Sequence, residues 1–184
     1  MSERTGPPYP RPWLLVVPLL IGAAVAVALG VFGSVHEPTG EVPWQRPFPS
    51  IYAMKVWFSL GVLLLAALQL CTALWMYGRL GLRARPWLGP VHRASGYLAF
   101  VVSLPVAAAC LWAMGFQSYD ARVLTHSILG TMVYGAFVAK VIVVHSRRLP
   151  GWAIPAVGGL LLATVVGVTA SSALWWIATF GLPR

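Results

Sequence analysis

Five long apolar runs alternate with short polar segments along this chain. They cover Trp13–Phe32, Ile51–Tyr77, Val91–Met114, Val123–Val144 and Trp152–Phe180. Each holds about the 20 apolar residues that a helix needs to cross a hydrocarbon core. Backbone inside lipid must satisfy its own hydrogen bonds, so each run is predicted to be a helix. Together the runs leave almost nothing for a soluble domain. The fold expected is all-α and integral to a membrane, with five transmembrane helices, the last four forming an antiparallel bundle.

The polar segments divide the chain. Residues 1–12 are Pro-rich and read as an N-terminal cytoplasmic tail. Residues 13–32 form the first transmembrane helix, a peripheral anchor. Residues 33–50 contain Pro38, Pro43, Pro47 and Pro49 with Trp44 and Phe48, and read as an extended outer loop with aromatic anchors. Residues 51–180 make the four-helix membrane bundle. The turns at 115–122 and 146–151 are short, which makes the third, fourth and fifth helices sequential antiparallel neighbours. Arg4, Arg11 and Ala26-Val27-Ala28 resemble a signal peptide, but the apolar run between them exceeds a usual signal core, so a retained anchor is expected.

Small residues recur every four positions at Gly22, Ala26 and Gly30, and again at Gly159, Ala163, Gly167 and Ser171. Such stripes let helices approach closely in lipid. Pro105 should kink the third helix, because it removes a backbone donor. Most tryptophans fall near the ends of the runs, as an interfacial belt requires.

Composition agrees with this reading. The chain is 59% hydrophobic and 9% charged, against about 25% charged in a soluble domain. Its net charge of +9 does not mark a nucleic-acid partner, since the basic residues lie at helix ends and form no patch. They set the orientation instead. Arg4, Arg11, Arg79, Arg83, Arg85, Arg93, Arg147 and Arg148 share one side. Arg46, Lys55, Arg122 and Arg184 share the other, diluted by Glu37, Glu41 and Asp120. Lys and Arg mark the cytoplasmic side. A multi-pass protein of the plasma (inner) membrane is expected, with its N-terminus cytoplasmic and its C-terminus outside.

Candidate chemistry is sparse. The four acidic residues all lie outside the apolar runs, which removes paired-carboxylate catalysis and most cation transport. A transporter would also show an inverted repeat, and none is evident. Cys71 and Cys110 lie at different depths and are expected to be free, buried thiols, since a disulfide needs matched positions. No CxxC or nucleotide-binding glycine pattern occurs.

Histidine remains: His36, His92, His126 and His145. With the hairpin between the third and fourth helices centred near Ser118, His92 lies 26 residues before that point and His145 lies 27 after it. Antiparallel neighbours then carry both at one level, near the cytoplasmic interface. His126 lies 8 residues after the centre, near the outer interface, and its level-matched partner on the third helix is Ala109 or Cys110. Two level imidazoles in a helix bundle can ligate haem b axially, and cations at that level can hold its propionates. Arg93, Lys140, Arg147 and Arg148 are the inner cations. Lys140 either serves a propionate or substrate anion, or snorkels to headgroups. The metal-ligand candidates are therefore His92, His145 and His126, with Arg93 and Lys140 as supporting residues. His36, in the outer loop, reads as solvated.

A resemblance supports the haem reading. Gly89-Pro90-Val91-His92-Arg93-Ala94-Ser95-Gly96-Tyr97-Leu98-Ala99-Phe100 resembles the His-containing helix start of membrane b-type cytochromes. Ser103-Leu104-Pro105-Val106, Cys110-Leu111-Trp112 and Arg122-Val123-Leu124-Thr125-His126-Ser127 resemble an uncharacterised actinobacterial multi-pass family. So do Tyr134-Gly135-Ala136-Phe137, Lys140 and Arg148-Leu149-Pro150-Gly151-Trp152. That family is similar to four-helix haem-b electron carriers, and the likeness covers residues 50–180. It implies a membrane electron-transfer subunit with one or two haem b groups. Electrons would pass between a quinol or other carrier and a partner redox protein, within a larger membrane complex. It also implies a histidine at position 109 to pair with residue 126. This chain has Ala109, so His126 takes another ligand, such as Met114 or Met54, or binds no iron. The alternative function is a non-redox accessory or anchoring subunit.

Overall fold

A computed structural model describes residues 10–183 of the chain. Arg4 and most of the expected tail lie outside these residues, as does Arg184. Among the described residues there is no strand, and five helices are long and apolar enough to cross a membrane. These are α1 (Pro12–Val35), α2 (Ile51–Met76), α3 (Leu88–Met114), α4 (Ala121–His145) and α5 (Ala153–Phe180). The N-terminus and the connections before α3 and α5 share one face, called here the near face. The connections before α2 and α4, with the C-terminus, share the far face.

Local chemistry fixes the helix starts. The Ser50 hydroxyl accepts the Ala53 N–H at 3.1 Å, and Asp120 Oδ1 accepts the Val123 N–H at 2.7 Å. Both satisfy amides that a helix start leaves without partners. α3 begins at Leu88, ahead of the expected Val91, because Pro90 sits in the first turn, where a missing N–H costs nothing. At the far end of α3, Gly115 adopts φ +72°, and a Cβ there would come within 3.1 Å of the Gly33 carbonyl. Glycine lets the chain reverse against the end of α1.

Two helices change register. α3 runs as π-helix over Ala109–Met114, and α5 does so over Ala170–Leu174. Such segments are rare and recur at functional sites. The first begins four residues after Pro105, which lies inside the helix.

α1 packs on α4, α2 on α3, and α5 on both α4 and α2. The α1–α4 crossing runs through buried Gly22 and Gly135, flanked by Ala26 and Ala139. The stripe on α1 is therefore a packing face. The stripe on α5 is used in part: Gly167 meets Leu129 of α4, whereas Gly159 faces open space. α3 and α4 meet through aromatic side chains. Phe100 stacks on Phe137 at 4.4 Å, and the Tyr134 hydroxyl donates to Ser103, 2.9 Å from its Oγ and 3.1 Å from its carbonyl oxygen. Val16, Leu64, Val101 and other large apolar residues point outward, as a lipid-facing surface demands.

The far-face loop is built into the fold. The Thr39 and Gly40 amides donate to the Trp112 and Ala113 carbonyls at 3.2 and 3.0 Å. Val42 from the loop and Met54 from α2 bury against Ala109 and Ala113, with Phe48 and Ile51 alongside. His36, expected to be solvated, instead stacks on Phe32 at 5.1 Å and lies 4.5 Å from the Trp112 ring. Its Nε2 is buried and has no hydrogen-bond partner among the described residues. The reason is local: His36 directly follows α1, so its ring lies against Phe32 and Trp112 at the helix end, with Nε2 turned inward. Of the two free thiols, Cys110 is half-buried, but Cys71 is exposed on the outer surface of α2.

Candidate functional site

A cavity of about 400 Å³ opens among α2, α3, α4 and α5 in the far half of the bundle. Its walls are mostly apolar. Its polar lining includes Lys55 from α2, Cys110 and Met114 from α3, and Arg122, His126 and Tyr134 from α4. Both π-helical segments contribute to the wall, through Cys110 and Met114 on one side and Ser172 and Ala173 on the other. Ligand pockets commonly have this character, an apolar hollow with a few convergent polar groups.

The local register of α5 orients the α4 residues. His126 Nδ1 lies 3.3 Å from the Val168 carbonyl, and Arg122 donates to the Ser171 carbonyl at 2.9 Å. A carbonyl only accepts, so Nδ1 carries the imidazole proton in that bond. Nε2 is left with its lone pair and lies 3.9 Å from Cys110 Sγ, on the cavity wall. This is the tautomer a metal-ligating histidine adopts, its other ring nitrogen held by a second acceptor. Arg122 also lies 3.7 Å over the Trp175 ring, a cation–π contact that holds it at the mouth. Its ion pair with exposed Asp120, at 3.9 Å, adds little.

Lys55 reaches the cavity one turn into α2. Its ammonium donates to Met114 Sδ at 3.1 Å, a weak acceptor for a full charge. Among the described residues no carboxylate pairs with it.

The other histidines take different surroundings. His92 Nδ1 lies 2.8 Å from the Thr72 hydroxyl of α2, whose own proton is directed to the Leu68 carbonyl at 2.8 Å. The imidazole therefore donates to Thr72. Gln69 donates to the His92 carbonyl and to Ser95 Oγ. His145 is exposed and returns Nδ1 to the Val141 carbonyl of its own helix at 2.8 Å. Their rings thus engage α2 and α4 respectively, and neither lines this cavity. Arg93 is exposed, and Lys140 is half-buried on α4. Among the described residues no three His, Cys, Asp or Glu side chains gather as a metal cluster.

Ala109 is fully buried in the cluster with Val42, Met54 and Ala113, and it does not line the cavity. Met54 is buried in the same cluster. Cys110, the next residue, is the one turned toward His126. Lys55 and Arg122 were not singled out by sequence reasoning. The available signal was Lys55 itself, four residues inside a predicted apolar run where any charge is expensive.

No curated protein matches the chain, and no solved structure matches it. The model of the Family of unknown function (DUF6529) matches residues 15–184, and the chain belongs to that family.

Proposed function

We propose that this protein is a membrane b-type cytochrome-like electron-transfer subunit whose haem b site would be the far-face cavity, with His126 as the residue that would hold the iron. The observation that carries the reading is the placement of the His126 ring. Its Nδ1 lies 3.3 Å from the Val168 carbonyl, an acceptor that favours the proton on Nδ1, and its Nε2 lies on the cavity side, 3.9 Å from Cys110 Sγ. Lys55 and Arg122 line the same hollow, and such cations suit the two propionates of a haem. When bound, that group supplies the one-electron chemistry, and the protein supplies its axial donor, charge and apolar shell. The inner pair His92 and His145 fits a haem less well, because the two rings are committed to different elements.

The resemblance of residues 50–180 to an uncharacterised multi-pass family that is itself similar to four-helix haem-b carriers supports the same role. The basic near face is assigned to the cytoplasm of the plasma membrane, so the cavity opens outside. One centre near one face does not span about 30 Å of hydrocarbon. The subunit therefore exchanges electrons with a quinol or other carrier and with a partner redox subunit docked at the outer face.

Absorption spectra of the purified full-length protein, before and after dithionite, test the proposal. A reduced α-band is expected in wild type, lost in His126→Ala and kept in His92→Ala and His145→Ala. A folded protein that stays colourless after hemin is supplied refutes it. The non-redox accessory subunit then takes its place, a reading favoured by the cavity lining, in which His126 is the one imidazole among the described residues.

A further inference from the structure

Resting on the haem reading above, we propose that Cys110 would hold the group together with His126, through its sulfur, so that the site is His/Cys ligated.

Three observations converge on Cys110. The first is distance. Its Sγ lies 3.9 Å from His126 Nε2, with the two residues on different helices and both on the cavity wall. Imidazole nitrogen and thiolate sulfur are both donors that transition metals take, so the two side chains that meet here are the pair that would hold the metal.

The second is register. Ala109–Met114 is π-helical, so side chains there do not follow α-helical angular spacing. Ala109 turns into the Val42 and Met54 cluster, and Cys110 turns into the cavity. A donor is therefore present on the α3 wall, facing His126 across the cavity edge.

The third is elimination among the sulfurs. Met114 also lines the cavity, but its sulfur meets Lys55 of α2 and not His126. Met54 is fully buried away from the cavity. Cys110 Sγ is the sulfur that contacts the His126 ring nitrogen among the described residues. Ligation replaces the S–H bond with a metal–sulfur bond and releases one proton to the outer aqueous face. The oxidation state of the metal does not change in that step.

The test uses full-length protein in detergent, loaded with hemin, as wild type, Cys110→Ala, Cys110→His and Cys71→Ala. Electron paramagnetic resonance of the ferric form reads the axial ligands directly. Wild type and Cys71→Ala are expected to give a low-spin thiolate signature. Cys110→Ala should retain the group through His126 but turn high-spin. Cys110→His should give a bis-imidazole spectrum. In a parallel readout, maleimide should label Cys110 only in hemin-free protein and Cys71 in both forms. Bound haem that depends on His126 but gives the same spectrum in Cys110→Ala overturns this inference and leaves the haem reading standing. Folded wild-type protein that takes up no hemin overturns both.

Discussion

Replacing Gly135 with alanine adds one methyl group to the α1–α4 crossing. That Cβ would lie 3.0 Å from Ala26 Cβ and closer still to the Gly22 carbonyl oxygen. Neither neighbour is the flexible end of a long side chain, so the two helices must separate. A radial gap of 0.5–1 Å already forfeits a quarter to a half of each dispersion contact along the seam. In lipid no hydrophobic gain offsets this, because the membrane is as apolar as the helix surface. Overpacking of this kind costs about 1–3 kcal/mol, a factor of roughly 5–150 in the equilibrium between docked and separated helices. Gly159→Ala is the control, since nothing lies within 4 Å of a Cβ built there. The assay is unfolding in mixed micelles of rising SDS fraction, followed by tryptophan fluorescence. Gly135→Ala should unfold at a clearly lower SDS fraction than wild type, and Gly159→Ala at the same fraction or slightly higher. Equal midpoints for the two variants would show that the glycine crossing does not govern docking of α1.

Four further outcomes are expected. Tyr134→Phe and Ser103→Ala should each destabilise the fold by about 1 kcal/mol, with a double-mutant cycle showing that the effects are shared; additive effects would deny the α3–α4 bond. His36→Phe keeps the stack on Phe32 and Trp112 and removes an unpartnered buried nitrogen, whose burial costs about 1–3 kcal/mol, so the melting temperature should rise; a fall would mean that the nitrogen is satisfied in the membrane. Lys55→Met should weaken hemin binding about tenfold, as loss of about 1.4 kcal/mol implies, and Lys140→Met should leave it unchanged; the reverse order would move the propionate site to the near face. In a background lacking Cys71 and Cys110, single cysteines at Arg83 and Ser118 should label from opposite sides of the membrane, Arg83 from the cytoplasm, and labelling of both from one side would refute the orientation.

The five helices were legible because spanning a bilayer is a constraint of length and hydropathy alone. Their ends were legible to within a few residues where capping chemistry is written in the sequence, as at Ser50 and Asp120. What counting along a hairpin does not capture is rotation about the helix axis. Depth matching brought His92 and His145 to one level, but level says nothing of facing, and the two rings turn to different partners. At His126 the same count pointed to Ala109 or Cys110, and the choice between them depends on the π register that starts at Ala109. The cavity cations were hidden for another reason. Lys55 was grouped with interfacial charges by sign and side, whereas its ammonium bends inward onto Met114. The far-face loop read as an extended connection with aromatic anchors, and its sequence carries no sign that two of its amides complete the end of α3.

The pairing of α1 with α4 also sets an order of events during synthesis. The chain from Gly22 to Gly135 is 113 residues long. At about 5–20 residues per second, the surface that receives α1 is made roughly 6–23 s after Gly22 itself. Through that interval α1 rests in the bilayer without the helix it will dock against, and its own apolarity must hold it there. It is the most apolar of the five spans, with a mean hydropathy of 2.7 against 1.9–2.0 for the others. The helix that waits longest for its partner is thus the one whose place in lipid depends on a partner least.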